Sequence, residues 1–347
     1  MRVLRHYQEL PEDLRGGVVA IGNFDGVHRG HRAVIGEAAQ FAHAAGVPLT
    51  VLSFEPHPRV LFDPDQEPFR LTPFRAKVVQ MASLDVDLFM ALHFDAELAD
   101  KSAEDFVTDV LVDGLAASHV VTGYDFVFGK KRSGDAELLR RMAAEAGFGF
   151  TQVPALRQGL NPNEAGRSVP GDSRGDIYAS STVRQHLQAG NPREAARQLG
   201  HWWEIDGRVQ HGDARGRQIG FPTANLDLDE YLRPTFGVYA VRVSMVADEG
   251  KVGVDDAFAA GWLPGVANLG RRPTIKDGDR ELLEVHLLNF DGDLYGKQLR
   301  VSLVEFIRPE QKFSGLDALT TQIALDSDRA REILADAEYA ADWPQSL

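Results

Sequence analysis

Two histidines three residues apart, His28 and His31, stand in the stretch GNFDGVHRGH, directly after the apolar run GVVAI. Glycines at positions 22, 26 and 30 allow a ligand to approach the backbone closely. If a helix begins here, its unpaired N–H groups and the positive end of its dipole favour an anion. Two imidazoles on one face of the first turn can then stabilise charge growing on a phosphoryl oxygen. No Lys-Ser or Lys-Thr follows the glycines, so this is not a Walker A loop, nor is it GxGxxG. The rival reading is a metal site with His57 of FEPHP as third ligand.

A second group lies far along the chain. GFPTAN (220–225) carries Thr223 and Asn225, hard oxygen donors of the kind Mg²⁺ accepts while keeping waters and phosphates. A Gly/Arg-rich turn containing Gly216 precedes it. In LLEVHLLNF, strand alternation puts Glu284 on one face with His286, opposite Leu283, Val285 and Leu287. On pattern alone, a turn and a solvated carboxylate account for these residues as well as catalysis does.

The elements that must position these groups read differently in the two halves. GVVAIG (17–22), VPLTVLSF (47–54), VDLFMAL (86–92) and SHVVTG (118–123) have the character of buried strands. Between them HRAVIGEAAQFAHAAG (31–46), TPFRAKVVQMASL (72–84) and SAEDFVTDVLVDG (102–114) read as helices, as does DAELLRRMAAEAG (135–147) beyond the last strand. Thr72 and Ser102 are expected to cap two of them, with Pro73 opening the first, and Gly46 to stop another. Such alternation predicts a parallel sheet with helices on both faces. Residues 157–176 read as a polar surface loop. Two short helices follow, 180–190 and 191–200, the second capped by Asn191. From Trp202 the runs WWEIDGRVQHG, GVYAVRVSMV, LLEVHLLNF and QLRVSLVEFIR predict a β-barrel or sandwich, and 315–338 a terminal helix. Two domains are expected, 1–186 and 187–347.

Composition narrows the partners. A formal charge of −14 argues against nucleic acid, whose backbone demands a basic surface, but leaves room for small anions held locally. With no cysteine, disulfides, thiolate metal sites and cysteine nucleophiles are excluded. The N-terminus is too polar for a signal peptide, and no run approaches the roughly 18 apolar residues of a membrane span. A cytoplasmic protein with no membrane partner is expected.

GNFDGVHRGH resembles the nucleotidylyltransferase signature in which His-x-Gly-His binds ATP phosphates. Together with FEPHP, TGYDFVFGKKRSG (122–134) and SSTVR (180–184), it is similar to the adenylyltransferase half of bacterial bifunctional riboflavin kinase/FAD synthetases. GFPTAN, GVYAV (237–241), GVANLGRRPT (265–274) and the run 304–326 resemble their riboflavin kinase module. The resemblance implies an α/β, Rossmann-like nucleotidylyltransferase domain followed by a β-barrel kinase domain with a C-terminal helix. It implies phosphorylation of riboflavin to FMN and adenylylation of FMN to FAD with release of pyrophosphate. ATP with Mg²⁺ would serve both steps, with flavins as substrate and products, in a monomer or weak homo-oligomer.

The same resemblance assigns roles. His28 and His31 would meet ATP phosphates and the transition state, with Gly22, Asn23, Asp25 and Gly30 in the same loop. Ser181, Thr182 and Arg184 would meet phosphate at a second helix start. Phe54, Phe62 and Phe128 would flank the flavin ring, and Asp125 would belong to the flavin site, where an acid can still accept a hydrogen bond but repels phosphate. In the kinase module Gly216, Thr223 and Asn225 would hold Mg-ATP, Glu284 would be the general base, and Arg308 and Glu310 would lie near the flavin. The chain departs from the family pattern at Asp125 (often Asn), Tyr178 (Arg in some relatives) and Asn289 (usually Asp), and 157–176 and 246–264 are long. Alternatives are a nucleotidylyltransferase for another phosphorylated acceptor with a binding-only barrel, a flavin or nucleotide sensor without turnover, and an RNA-binding barrel.

Overall fold

Apolar side chains on both faces of every central strand dictate a sheet sandwiched between helices. The computed structural model describes residues 1–8, 10–159, 175–211, 216, 219–246, 261–274 and 278–339. The expected loop 157–176 and the long segment 246–264 lie mostly outside these residues. In the first half, β1 (Arg2–Leu4), β2 (Val18–Ile21), β3 (Leu49–Glu55), β4 (Leu88–His93), β5 (His119–Gly123) and β6 (Gly149–Val153) pair in parallel. Their order is β1-β4-β3-β2-β5-β6. Val18 and Ala20 face Val34, Ile35 and Ala38 of α1 (Arg29–Ala45). Val19 and Ile21 face the opposite layer with Phe106, Val110 and Leu139.

The short helices α2 (Pro58–Phe62), α3 (Phe74–Ala82) and α4 (Ala96–Asp100) complete the crossovers. Ser102 caps α5 (Ala103–Asp105) as expected, and the helix widens into a π-helical run, Phe106–Gly114. Tyr7 lies so close to Gly114 that a Cβ there would fall 2.5 Å from its ring, which is why the glycine ends this run. After α6 (Ala136–Ala146) the chain enters β6. The strand order reverses between β2 and β5, and the carboxyl ends of strands at such a reversal open a ligand crevice.

Two expected caps differ. Pro73 occupies the cap position of α3 and no side chain caps it. The Thr72 hydroxyl instead serves the loop after β2, where it meets a buried carboxylate. Asn191 stands at the cap position of α8 (Pro192–Leu199) without a side-chain cap bond.

In the second half, α7 (Ser180–Gln188) and α8 lead into β7 (Trp203–Arg208), β8 (Ala224–Asp227), β9 (Gly237–Met245), β10 (Leu263–Thr274), β11 (Gly278–Leu287) and β12 (Gln298–Pro309). The order is β7-β12-β9-β10-β11-β8, all antiparallel. Gln210, just beyond β7, donates its N–H to the Asn225 carbonyl at 2.9 Å, so the edge strands meet and the sheet is a nearly closed barrel rather than a sandwich. Trp203, Tyr239, Val241, Leu283 and Val301 fill it. Helix α9 (Leu316–Ala335) covers part of the outside, with Ala330 and Ile333 on Val238, Ala240 and Val304.

The chain forms two compact units, Met1–Glu67 with Thr72–Ala179, and Pro68–Leu71 with Ser180–Leu347. The junction expected at 186 falls inside α7. The strap Pro68–Leu71 is built into the second unit. Leu232 N–H donates to the Arg70 carbonyl at 2.8 Å and Trp203 Nε1 to the Leu71 carbonyl at 2.9 Å. The Leu71 side chain is fully buried in the barrel core.

Leu71→Ala is therefore expected to destabilise the barrel, although the residue is distant from it in sequence, by about 2–5 kcal/mol. The described tryptophans, Trp202, Trp203 and Trp262, all fall in the second unit, so urea unfolding followed by tryptophan fluorescence reads this unit. An unchanged midpoint would mean that Leu71 is not part of its core.

Candidate functional site

Between β2 and α1 the chain turns through residues whose backbone is strained. Phe24 (φ 48°) and Val27 (φ 42°) adopt left-handed conformations. These are uncommon for any side chain and an outlier for a β-branched one, so neighbours must over-determine the loop. Thr72 N–H and Oγ1–H donate to Asp25 Oδ1 at 2.9 and 3.3 Å, and Gly26 N–H donates to Thr72 Oγ1 at 2.8 Å. The Lys77 ammonium, fully buried, donates to the Asn23 carbonyl at 2.9 Å, Ser53 Oγ at 3.2 Å and Glu55 Oε1 at 2.8 Å. Ser53 Oγ–H donates to the same Asn23 carbonyl at 3.1 Å.

This loop delivers two imidazoles to the start of α1. His28 is the N-cap, and its Nδ1 accepts the His31 N–H at 3.3 Å. In neutral His28 the ring proton is then on Nε2. The two rings stack with centroids 3.6 Å apart, and Phe24 meets His31 edge-on at 5.3 Å. A Cβ on Gly30 would lie 3.1 Å from the His28 ring and 3.2 Å from the Tyr178 carbonyl, so the residue between the histidines must be small. The first turn of α1 holds no acid, and Arg29 and Arg32 occupy it instead, against the preference of the helix dipole. Burial, and then the charge of Arg29, hold the Arg32 guanidinium below the usual arginine value. Cationic groups, a helix start and the reversal point of the sheet thus coincide, a setting for an anion. His57 caps α2, its Nδ1 accepting the Arg59 N–H at 3.2 Å. Among the described residues no group of three His, Asp or Glu is placed to hold a metal.

Beside this loop, on the sheet face away from α1, aromatic rings form a chain. Phe54 meets Phe94 (5.7 Å) and Phe106 (6.2 Å), Phe106 meets Phe128 (5.5 Å), and Phe94 meets Phe62 (6.1 Å). Phe54 and Phe128 are buried, whereas Phe62 is 70% exposed. Thr122, at the end of β5, has a buried hydroxyl with no hydrogen-bond partner among the described residues. Asp125 is exposed on the turn after β5. Ser181, Thr182 and Arg184 lie on α7 of the second unit, where Arg184 Nε donates to the Phe69 carbonyl at 2.9 Å.

In the second unit, strand register assembles a row on the barrel's outer face. Asn225 of β8 is opposite Glu284 of β11, which is opposite Asn268 of β10. Directly opposed residues share a face, and Leu283 and Val285 fill the interior, so these three side chains stand outside. Asn225 is buried, and its Oδ1 has no hydrogen-bond partner among the described residues. Thr223 precedes it by two residues, one strand period. The loop before is clamped: Phe221 N–H donates to the Gly216 carbonyl at 2.8 Å, and His286 Nδ1 meets the Pro222 carbonyl at 2.8 Å. A carbonyl only accepts, so His286 Nδ1 carries the proton. A Cβ on Gly216 would lie 2.3 Å from the Phe221 carbonyl oxygen. Arg308 is held by Asp326 of α9 through Nε (2.9 Å) and Nη2 (2.7 Å). Glu310 Oε1 accepts from Asn268 Nδ2 at 3.3 Å and sits where a Gly270 side chain would be.

Sequence reading passed over Lys77, Glu55, Asn268 and Asp326. Only Lys77 left a trace, a charge one turn before Met81 on the buried face of α3.

Known proteins resemble the chain along its length. The family profile for FAD synthetase matches residues 10–162 and that for riboflavin kinase residues 199–334. The bifunctional riboflavin kinase/FMN adenylyltransferase of Escherichia coli (strain K12) is 40% identical over 96% of both chains. The protein of the same description from Pseudomonas fluorescens is 39% identical over 98% of this chain and 100% of its own. A crystal structure described as a macrolide-efflux protein from Streptococcus pneumoniae aligns with 95% of this chain and 98% of its own, with TM-score 0.76 and 27% identity. Efflux is said of that protein; among the described residues here, no helix is long and apolar enough to cross a membrane.

Lys77→Met leaves the Glu55 carboxylate buried without its counter-charge and is expected to cost about 3–5 kcal/mol. Replacing both, Lys77→Met with Glu55→Leu, recovers part of that loss. Urea unfolding followed by far-UV circular dichroism measures both variants, and equal losses in the single and double variants would remove the ion pair from the account.

Proposed function

The chain belongs to the bifunctional riboflavin kinase/FMN adenylyltransferase family, and we propose from that premise how its residues share the two reactions. Its C-terminal half phosphorylates riboflavin to FMN with ATP, and its N-terminal half adenylylates FMN to FAD with release of pyrophosphate. A binding-only barrel and a different phosphorylated acceptor are thereby set aside. The observation that carries the residue assignment is the stacked His28–His31 pair on an acid-free helix start.

In adenylyl transfer a phosphate oxygen of FMN attacks the α-phosphorus of ATP, and the bond to the β-phosphate breaks. No protein nucleophile is needed. His28, through Nε2–H, and His31 stabilise the charge that develops, assisted by the positive end of the α1 dipole. Gly22 and Gly30 give the backbone room, while Asn23 and Asp25 hold the loop in shape through Lys77 and Thr72. Phe54, Phe62 and Phe128 flank the flavin, with Asp125 at its polar edge. Ser181, Thr182 and Arg184 remain candidates for a phosphate at the start of α7.

In the kinase half the riboflavin primary hydroxyl attacks the γ-phosphorus of ATP, and Glu284 takes its proton. Asn225 Oδ1, which has no hydrogen-bond partner among the described residues, forms with Thr223 a hard-oxygen donor set that fits Mg²⁺. Bound there with ATP, the ion supplies positive charge to the phosphates. Gly216 permits the clamped loop to approach ATP closely, and Arg308, fixed by Asp326, and Glu310 border the flavin. We take the enzyme to work in the cytoplasm, where ATP is at hand for both steps, and to act as a monomer or weak homo-oligomer.

Crossed substitutions test the division. With riboflavin and ATP, His28→Ala/His31→Ala is expected to accumulate FMN and to lower FAD formation about 100-fold or more. Glu284→Gln, given FMN, still makes FAD while riboflavin phosphorylation collapses. FAD formation at the normal rate without the histidines would refute the phosphate assignment. Asn225→Ala is expected to raise the Mg²⁺ concentration for half-maximal kinase activity and leave adenylyl transfer unchanged; an unaltered Mg²⁺ dependence would remove Asn225 from the ion's ligands.

A further inference from the structure

We propose that Arg32 binds the pyrophosphate portion of ATP and carries it as leaving group, a role that rests on His28 and His31 holding the triphosphate. Arg32 is one helical turn beyond His28, its N–H donating to the His28 carbonyl at 2.9 Å. Side chains in a helix lean toward its N-terminus, so this long side chain reaches back to the opening where the imidazoles stand.

Its surroundings suit no free cation. The side chain is half-buried, and Nε is shielded from solvent without a hydrogen-bond partner among the described residues. The charge that acts on it is a like one, Arg29, and α1 has no acid in its first turn. It also sits at the positive end of the helix dipole. A half-buried guanidinium left this way is unfavourable until an anion arrives, and its planar fork matches two phosphate oxygens at once. A structural arginine would have been given a carboxylate, as Lys77 is given Glu55 and Arg308 is given Asp326.

The reaction states which anion benefits. As the FMN oxygen bonds to the α-phosphorus, the α–β bridging oxygen takes the electron pair and leaves with the β- and γ-phosphates. The histidines at the helix mouth serve the phosphate under attack. The cation reaching back from the next turn neutralises the group that departs, and in reverse it captures pyrophosphate.

Arg32→Gln and Arg32→Lys test this in the full-length enzyme. In pyrophosphorolysis of FAD, the KM for pyrophosphate is expected to rise about 10- to 100-fold in Arg32→Gln, the range of a charge-assisted hydrogen bond. The KM for FAD and the riboflavin kinase rate stay unchanged, and Arg32→Lys recovers part of the loss. Pyrophosphate alone should raise the wild-type melting temperature and fail to do so in Arg32→Gln. Both pyrophosphate readouts unchanged in Arg32→Gln would overturn the proposal. If His28→Ala also forms FAD normally, the triphosphate assignment fails; if it does not, Arg32 alone is misassigned.

Discussion

A single buried ammonium, Lys77, governs the geometry of the adenylylating half. A lysine with no exposure must find acceptors for its protons, and it finds Glu55, Ser53 and the Asn23 carbonyl. Those acceptors lie on β3 and on the loop after β2, so satisfying one charge ties two elements to α3. The tie holds a loop whose Phe24 and Val27 are strained. The imidazoles stand in position before any anion arrives, and donors fixed in advance lose little to reorganisation as charge develops.

The barrel solves a related problem with different materials. Its interior is filled, so polar groups at alternate positions must stand outside, and antiparallel register lines up Asn225, Glu284 and Asn268. Where the first unit gathers imidazole and guanidinium groups at a helix start, the second offers amide oxygen and a carboxylate. That difference follows from the step each performs. Adenylyl transfer has a nucleophile already ionised, whereas phosphorylation of an alcohol must dispose of a proton.

Periodicity made the parallel sheet and its principal helices legible, because strands buried on both faces and amphipathic helices leave regular marks. Strands that depend on partners left none: β1 is three residues of exposed edge, and β8 begins within the turn-like PTAN. Thr72 misled for a physical reason. A hydroxyl before proline satisfies the capping rule, but a buried carboxylate at Asp25 is a stronger partner than a helix end. The π-helical widening after Asp105 follows no residue pattern that distinguishes it from an ordinary helix.

Residue types and spacing alone determined the chemistry on offer: an imidazole pair at a glycine-rich helix start, oxygen donors in GFPTAN, and a carboxylate in an alternating strand. They did so because such chemistry is local, set by a few adjacent residues and the period of the element that bears them. Tertiary structure decided what is non-local. It made Pro68–Leu71 part of the barrel, gave Lys77 its acceptors, set Asn225 and Asn268 on either side of Glu284, and left Arg32 Nε with no hydrogen-bond partner among the described residues. Each depends on burial and register between segments far apart in the chain, which no local pattern encodes.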